Sequence, residues 1–276
     1  MAARTVKKKV QGNRAIDGAG VNLVRVLGRD TVLDFDPFLM LDSFDSTNPE
    51  DYIKGFPTHP HRGIETITYL IEGIIEHEDS LGNKGTIKSG QSQWMTAGSG
   101  IMHQEMPKEH PRMLGLQLWL NLAAKDKMAQ PKYFDITEEM IGVAKEDGAV
   151  IRVISGAYKS TSGVSPSYIP ATIYDVTLEK SGKIELPTKP GETVFVFLIQ
   201  GDGIVARELI NEKTAVLLND GDSVILEAPK DGETRFIFAM AKPLKESVAW
   251  GGPIVMNTRE ELNQAFIELQ HDTFIK

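Results

Sequence analysis

Leu114, Leu116, Leu118, Leu120 and Leu122 alternate with Gly115, Gln117, Trp119 and Asn121. A strict period of two has no helical competitor, because only an extended backbone turns every second side chain to the same face. The leucine face must lie against a core, which leaves Trp119 on the opposite face. Much of the chain reads the same way. Val21–Leu27, Gly63–Gly73, Gly90–Thr96, and Ile74–Asp79 paired with Gly85–Lys88 across Gly82-Asn83 are strand candidates punctuated by turn residues. Strands resume at Val150–Ile154, Ile173–Leu178, Thr193–Ile199, Thr214–Leu218, Ser223–Glu227 and Arg235–Ala241.

Helical signals are few. Asp135-Ile-Thr-Glu138 is a helix-entry pattern for a short helix ending near Gly148, inside a charged stretch that reads as a linker. Thr258-Arg-Glu-Glu261 opens a terminal amphipathic helix carrying Leu262, Ala265, Phe266 and Leu269. The two halves also repeat. Leu70-Ile-Glu-Gly73 matches Leu198-Ile-Gln-Gly201, and Gly90-Gln-Ser92 matches Gly221-Asp-Ser223. The expected architecture is all-β, with two related barrels or double-sheet jelly rolls. The expected division is 1–130 for the first barrel, 131–148 for the linker, and 149–276 for the second barrel with its helix.

Three of the six histidines sit in two triplets, His59-Pro60-His61 and His103-Gln104-Glu105. Each triplet places ligand-type side chains two residues apart, hence on one face of a strand. Pro60 holds the first segment extended. An isolated histidine is ordinarily a half-buried residue satisfied by a neighbour, but two such pairs in a histidine-poor chain point to a metal. Three imidazoles and a carboxylate suit a first-row ion such as iron, with positions left for water, O₂ or substrate. Between His110 and His271 there is no histidine, so only the first half carries this chemistry. The chain has no cysteine, which excludes thiolate ligands, Cys nucleophiles and disulfides.

The remaining exclusions come from charge and hydropathy. A net charge of −8 opposes direct nucleic-acid binding and anionic membranes. The Lys7–Lys9 run lacks the apolar stretch of a signal peptide, and no segment is long enough to span a bilayer, so the expectation is a cytoplasmic protein. Among weaker candidates, His77 reads as a strand residue near the pocket, His110 as a solvated loop residue, and His271 as idle in the tail. Arg62 reads as half of a structural ion pair, and Trp94 and Met95 as core.

Gly55-x₃-His59-x-His61-x₃-Glu65 resembles the first cupin motif, and Gly98-Ser-Gly100-x₂-His103 resembles the second. His59-Pro-His-Arg-Gly-Ile-Glu-Thr66, His77-Glu-Asp79, Gln93-Trp-Met-Thr-Ala-Gly98, Gly100–Pro107, Gly115–Asn121, Gly221-Asp-Ser223 and Gly252–Thr258 more specifically resemble the pirin family, from about Gly20 to near Gln264. The resemblance implies a bicupin with two cupin-type β-barrels. It implies one Fe(II)/Fe(III) ion in the first barrel, held by His59, His61, His103 and Glu105, and no metal in the second. The same site accepts Ni, Mn, Co or Cu. Cupins more commonly draw the carboxylate from the position of Glu65. Here Gly63 is placed to break the register by a bulge, leaving Glu65 to orient a ligand or its water.

Two functions follow from the resemblance. One is a quercetin 2,3-dioxygenase, in which a flavonol chelates the metal, Glu105 or a nearby carboxylate takes the hydroxyl proton, and O₂ cleaves the ring with release of carbon monoxide. The other is an iron-dependent redox sensor that binds a transcription factor or metabolic enzyme. A monomer is expected, since the two halves can cover each other's sheets.

Overall fold

The computed structural model describes residues 2–276. Their strands form two seven-stranded and two four-stranded sheets, plus two short hairpins. One seven-stranded sheet runs in the order Lys132–Ile136, Ser92–Thr96, Ile64–Glu72, Met113–Asn121, Phe38–Ser46, Val21–Leu27, Asn13–Asp17. Its four-stranded companion is Phe56–His61, Ile101–Pro107, Ile74–Asp79, Lys84–Lys88. The other seven-stranded sheet runs Val6–Gln11, Thr214–Leu218, Thr193–Gln200, Thr234–Ala241, Thr172–Leu178, Ala149–Ser155, Gly142–Glu146. Its companion is Lys183–Pro187, Ser223–Glu227, Gly203–Val205, Glu208–Ile210. Apart from the outer edge strands Lys132–Ile136 and Val6–Gln11, the strand order is the same in both pairs, so the fold is a bicupin of two double-sheet barrels.

This shared order corrects half of the repeat. Leu70 and Leu198 lie on equivalent strands, Ile64–Glu72 and Thr193–Gln200. Gly90-Gln-Ser92, however, leads into a strand of a seven-stranded sheet, whereas Gly221-Asp-Ser223 leads into a strand of a four-stranded one. The topological counterpart of the latter turn is Gly98-Ser-Gly100, before Ile101–Pro107. Glycine-polar turns recur at many strand junctions, so a three-residue match cannot say which junction it is.

The compact units are discontinuous along the chain. One contains the segment up to Asn13, Val26–Pro37 and Glu138–Pro243; the other contains Arg14–Arg25, Phe38–Thr137 and Leu244–Lys276. The contiguous cuts at 130 and 149 therefore differ from the contact pattern at both ends. Val6–Gln11 pairs with Thr214–Leu218, while the C-terminal segment groups with the histidine-bearing unit. The supposed linker 131–148 also differs. Lys132–Ile136 pairs with Ser92–Thr96, Gly142–Glu146 pairs with Ala149–Ser155, and only the single 3₁₀ turn Glu138–Met140 lies between them. Edge pairing captured by Tyr133, Phe134 and Ile136 outweighs a local helix-entry pattern.

Each barrel is filled differently. The histidine-free unit packs Ile184, Leu186, Val196, Val224, Leu226 and Phe238 into one apolar cluster. In the histidine-bearing unit Leu23, Phe44, Leu70, Ile75, Ile87 and Met113 belong to an apolar cluster, beside which the histidines and buried polar residues lie. The even-numbered leucines of Met113–Asn121 are buried, as is Leu122 beyond it, and Gln117 and Trp119 face the other way. The C-terminal helix is Arg259–Gln270, closed at its start by the reciprocal Thr258/Glu261 capping box. Ala265 and Phe274 pack with Ile254 and Met256.

Candidate metal centre

Strands Phe56–His61 and Ile101–Pro107 pair antiparallel, with His59 directly opposite His103. His59 and His61 share a face by strand parity, and all three rings turn to one point. Their ligand atoms lie within 4.8 Å of one another. His61 and His103 are 2% and 1% exposed, and His59 is half-buried.

Hydrogen bonds decide which nitrogens meet. His59 Nδ1 lies 2.9 Å from the Pro57 carbonyl, and His61 Nδ1 lies 3.0 Å from that of Pro253. A carbonyl only accepts, so each Nδ1 carries a proton, and in the neutral ring each Nε2 keeps a bare lone pair. These two Nε2 atoms face each other at 3.1 Å. Two lone pairs at that distance repel unless a cation lies between them. Neither ring nitrogen of His103 has a hydrogen-bond partner among the described residues, an unfavourable state for a buried ring without a ligand. Two nitrogens at right angles around one ion, each ~2.1 Å away, stand about 3.0 Å apart. The donor set therefore fits a first-row transition ion.

Burial pushes the His61 imidazole down to about 3, with His59 acting in the same direction. Burial likewise holds His103 well below its ordinary value, with His61, His59 and His77 adding to the effect. The rings of His61 and His103 are neutral at physiological pH, the form that ligates.

Glu105 follows His103 by two residues, but a register irregularity falls between them. Its carboxylate lies outside the converging three-histidine group. Thr68 Oγ1 donates to Glu105 Oε1 at 2.8 Å, Gln93 Nε2 donates to the same oxygen, and Gln117 Nε2 donates to Oε2 at 2.6 Å. Glu105 is 2% exposed.

Glu65 is not placed to orient a ligand. Gly63 adopts φ +76° at the corner between two sheets. Beyond it Glu65 stands opposite Leu120 and Thr96, on the leucine face, where Thr96 Oγ1 donates to Glu65 Oε1 at 2.7 Å. The break at Gly63 is the one expected; its consequence is to turn Glu65 away altogether. His77 stacks on Tyr133 at 3.9 Å, places Nε2 3.2 Å from Asp79 Oδ2, and lies 5.3 Å from His103 between ring centroids. Arg62 forms the expected ion pair, Nη1 to Glu268 Oε2 at 2.8 Å, and donates to the Phe274 carbonyl at 2.7 Å. Trp94 and Met95 are buried. His110 is half-buried rather than solvated, its Nδ1 on the Arg112 carbonyl, and His271 is exposed at the end of the helix.

Trp119 meets His61 edge to face at 4.9 Å, and Trp250 stands 6.0 Å from Trp119. Gln93 and Gln117 are absent from the sequence-based site, although Gln117 on the non-leucine face of an apolar strand was a readable signal. The Pro253 carbonyl has no such signal, since its role depends on a segment 192 residues away from His61.

Known proteins share this arrangement of strands and motifs. The family described as Pirin matches residues 20–120, and the Pirin C-terminal cupin domain matches residues 173–275. A pirin-like protein of Caulobacter vibrioides is 42% identical over 99% of this chain and 100% of its own. The chain belongs to the pirin family. Among solved structures, this pirin-family chain resembles quercetin 2,3-dioxygenase from Acinetobacter baumannii. The two share 31% identity and a TM-score of 0.90, over 99% of each chain. It also shares its fold with a bacterial pirin of Escherichia coli solved with nickel(II), at 21% identity, TM-score 0.65, and coverage of 86% and 98%.

Proposed function

We propose that this pirin-family protein is a dioxygenase of the quercetin (flavonol) type, holding one iron ion through His59, His61, His103 and Glu105. The observation that carries the reading is the pair of bare Nε2 lone pairs at 3.1 Å beside a His103 ring with no partner. Likeness over the full length to a structure named as a quercetin 2,3-dioxygenase supports the choice of substrate class. A bound iron would supply a Lewis acid for the adjacent hydroxyl and carbonyl oxygens of a flavonol and a redox partner for dioxygen.

The chain's own residues would do the rest. Carbonyls of Pro57 and Pro253 hold two imidazoles in the ligating tautomer. Trp119, edge-on to His61, and Trp250 beyond it offer aromatic surface suited to a flat polyphenol. Glu105 is the carboxylate assigned to receive the 3-hydroxyl proton, at one of its ε-oxygens. The test is iron-loaded protein with quercetin in air, following loss of flavonol absorbance and release of carbon monoxide. His61→Ala is expected to abolish both. Wild-type protein at full iron occupancy with no turnover of any flavonol would end this reading.

A further inference from the structure

The carboxylate of Glu105 sits in a cage of three donors, Thr68, Gln93 and Gln117, and the last of these is itself locked. Gln117 Oε1 accepts from Trp119 Nε1 at 3.3 Å, whereas the Tyr133 hydroxyl beside Gln93 gives its one proton to Asp135 Oδ1 at 2.5 Å. Indole N–H can only donate. Turning the Gln117 amide over would set its NH₂ against that donor and its oxygen against the carboxylate, two repulsive contacts in place of two hydrogen bonds. The Gln117 amide orientation is therefore dictated from behind, and its NH₂ group is aimed at Glu105.

The three donors form one row across the middle of the sheet. Thr68 stands opposite Gln93 on one side and opposite Gln117 on the other. The second barrel has the same strand order, and the residue equivalent to Thr68, from the Leu70/Leu198 match, is Val196. Opposite Val196 stand Val216 and Phe238, and all three are fully buried. One chain thus contains both versions of the row. It is apolar where there is no histidine, and polar where three histidines converge. Burying two amides, a hydroxyl and a carboxylate is less favourable than burying valine and phenylalanine, so barrel stability does not account for the polar row.

We infer that Gln93 and Gln117 are positioning residues that act through Glu105, holding its carboxylate aimed for the metal, with Trp119 as the lock on Gln117. The inference rests on the proposal that Glu105 is a ligand. It goes further in naming what makes Glu105 one. Removing such a support typically lowers metal affinity by about 10–100-fold.

The test uses the full-length protein, Co(II) as the probe, competition against a chromophoric chelator for affinity, and the visible d–d spectrum for the ligand field. Gln117→Met and Gln93→Met are each expected to weaken Co(II) by about 10–100-fold and to shift the bands. Trp119→Phe, which keeps a ring but loses the N–H, is expected to weaken it less and in the same direction. Glu105→Gln is expected to weaken Co(II) at least as much as either Gln variant. The double variant Gln117→Met/Glu105→Gln is expected to be no worse than Glu105→Gln alone, since Gln117 acts only through Glu105. Losses that add in the double variant overturn the inference, and so does wild-type affinity and spectrum in both Gln variants while Glu105→Gln is impaired. Wild-type affinity and spectrum in Glu105→Gln would instead remove Glu105 from the ligand set, and the inference with it.

Discussion

Gly63 joins the strand carrying His59 and His61 to the central strand Ile64–Glu72, and Gly63→Ala tests how the corner supports the metal site. An alanine Cβ there would lie 2.0 Å from the Val255 carbonyl oxygen and 2.9 Å from Lys127 Cδ. An ordinary carbon–oxygen contact is about 3.3 Å, so the Val255 carbonyl must retreat by about 1.3 Å or the corner must open. Val255 O also accepts from Lys127 Nζ at 2.8 Å, and Pro253, two residues earlier, orients His61. The φ of +76° adds roughly 1–2 kcal/mol for an L-residue, and the overlap adds about 1–3 kcal/mol. The expected loss is about 2–5 kcal/mol, which corresponds to roughly 4–20 °C in Tm for a protein of this size. Gly191 supplies the control, since it has the same φ of +76° and nothing lies within 4 Å of where an alanine Cβ would stand. Gly191→Ala should show the conformational part alone, about 1–2 kcal/mol. Calorimetry of both variants isolates the steric part, and a Co(II) titration reads its effect on His61. Equal melting temperatures for the two variants, with wild-type Co(II) affinity in Gly63→Ala, would refute the reasoning.

Other predictions follow from the same geometry. His61 has its pKa lowered from 6.5 to about 3, so below pH 6.5 the unfolded chain binds a proton the folded metal-free chain does not. Its contribution is fully present above pH 6.5 and is lost as pH falls toward 3, by about 1.4 kcal/mol per pH unit. Denaturant titrations of metal-free protein across that range should show a shallower acid limb in His61→Phe. Thr258→Ala should cost about 1 kcal/mol by removing the helix cap, measured by urea unfolding, and should leave Co(II) affinity unchanged. Arg62→Met removes the partner of Glu268 and of the Phe274 carbonyl. Lys276 still faces Glu268 at 2.9 Å, so the expected loss in urea unfolding is about 2–3 kcal/mol, below the usual range for a severed buried pair.

Local rules were enough for most of the strands. Val21–Leu27, Thr214–Leu218 and Ser223–Glu227 lie where alternation and turn residues put them, and the Thr258/Glu261 box starts the helix. The three histidines were legible for the same reason, because a period of two and a flanking proline tell which side chains share a face. The edge strands were not legible. Val6–Gln11 and Lys132–Ile136 have weak patterns of their own and become strands by pairing with residues far along the chain.

The fate of the acidic residues shows the division most clearly. Parity alone put Glu65 with the histidines and left Glu105 as one choice of two. The turn at Gly63 rotates Glu65 to the leucine face, and Glu105 meets Thr68, Gln93 and Gln117 only once three strands lie side by side. Alternation along a strand is a property of the backbone and is written in the sequence. The hydrogen-bond partner of a buried carboxylate, or the carbonyl of Pro253 on His61, depends on which strands become neighbours, and that is decided by packing of the whole barrel.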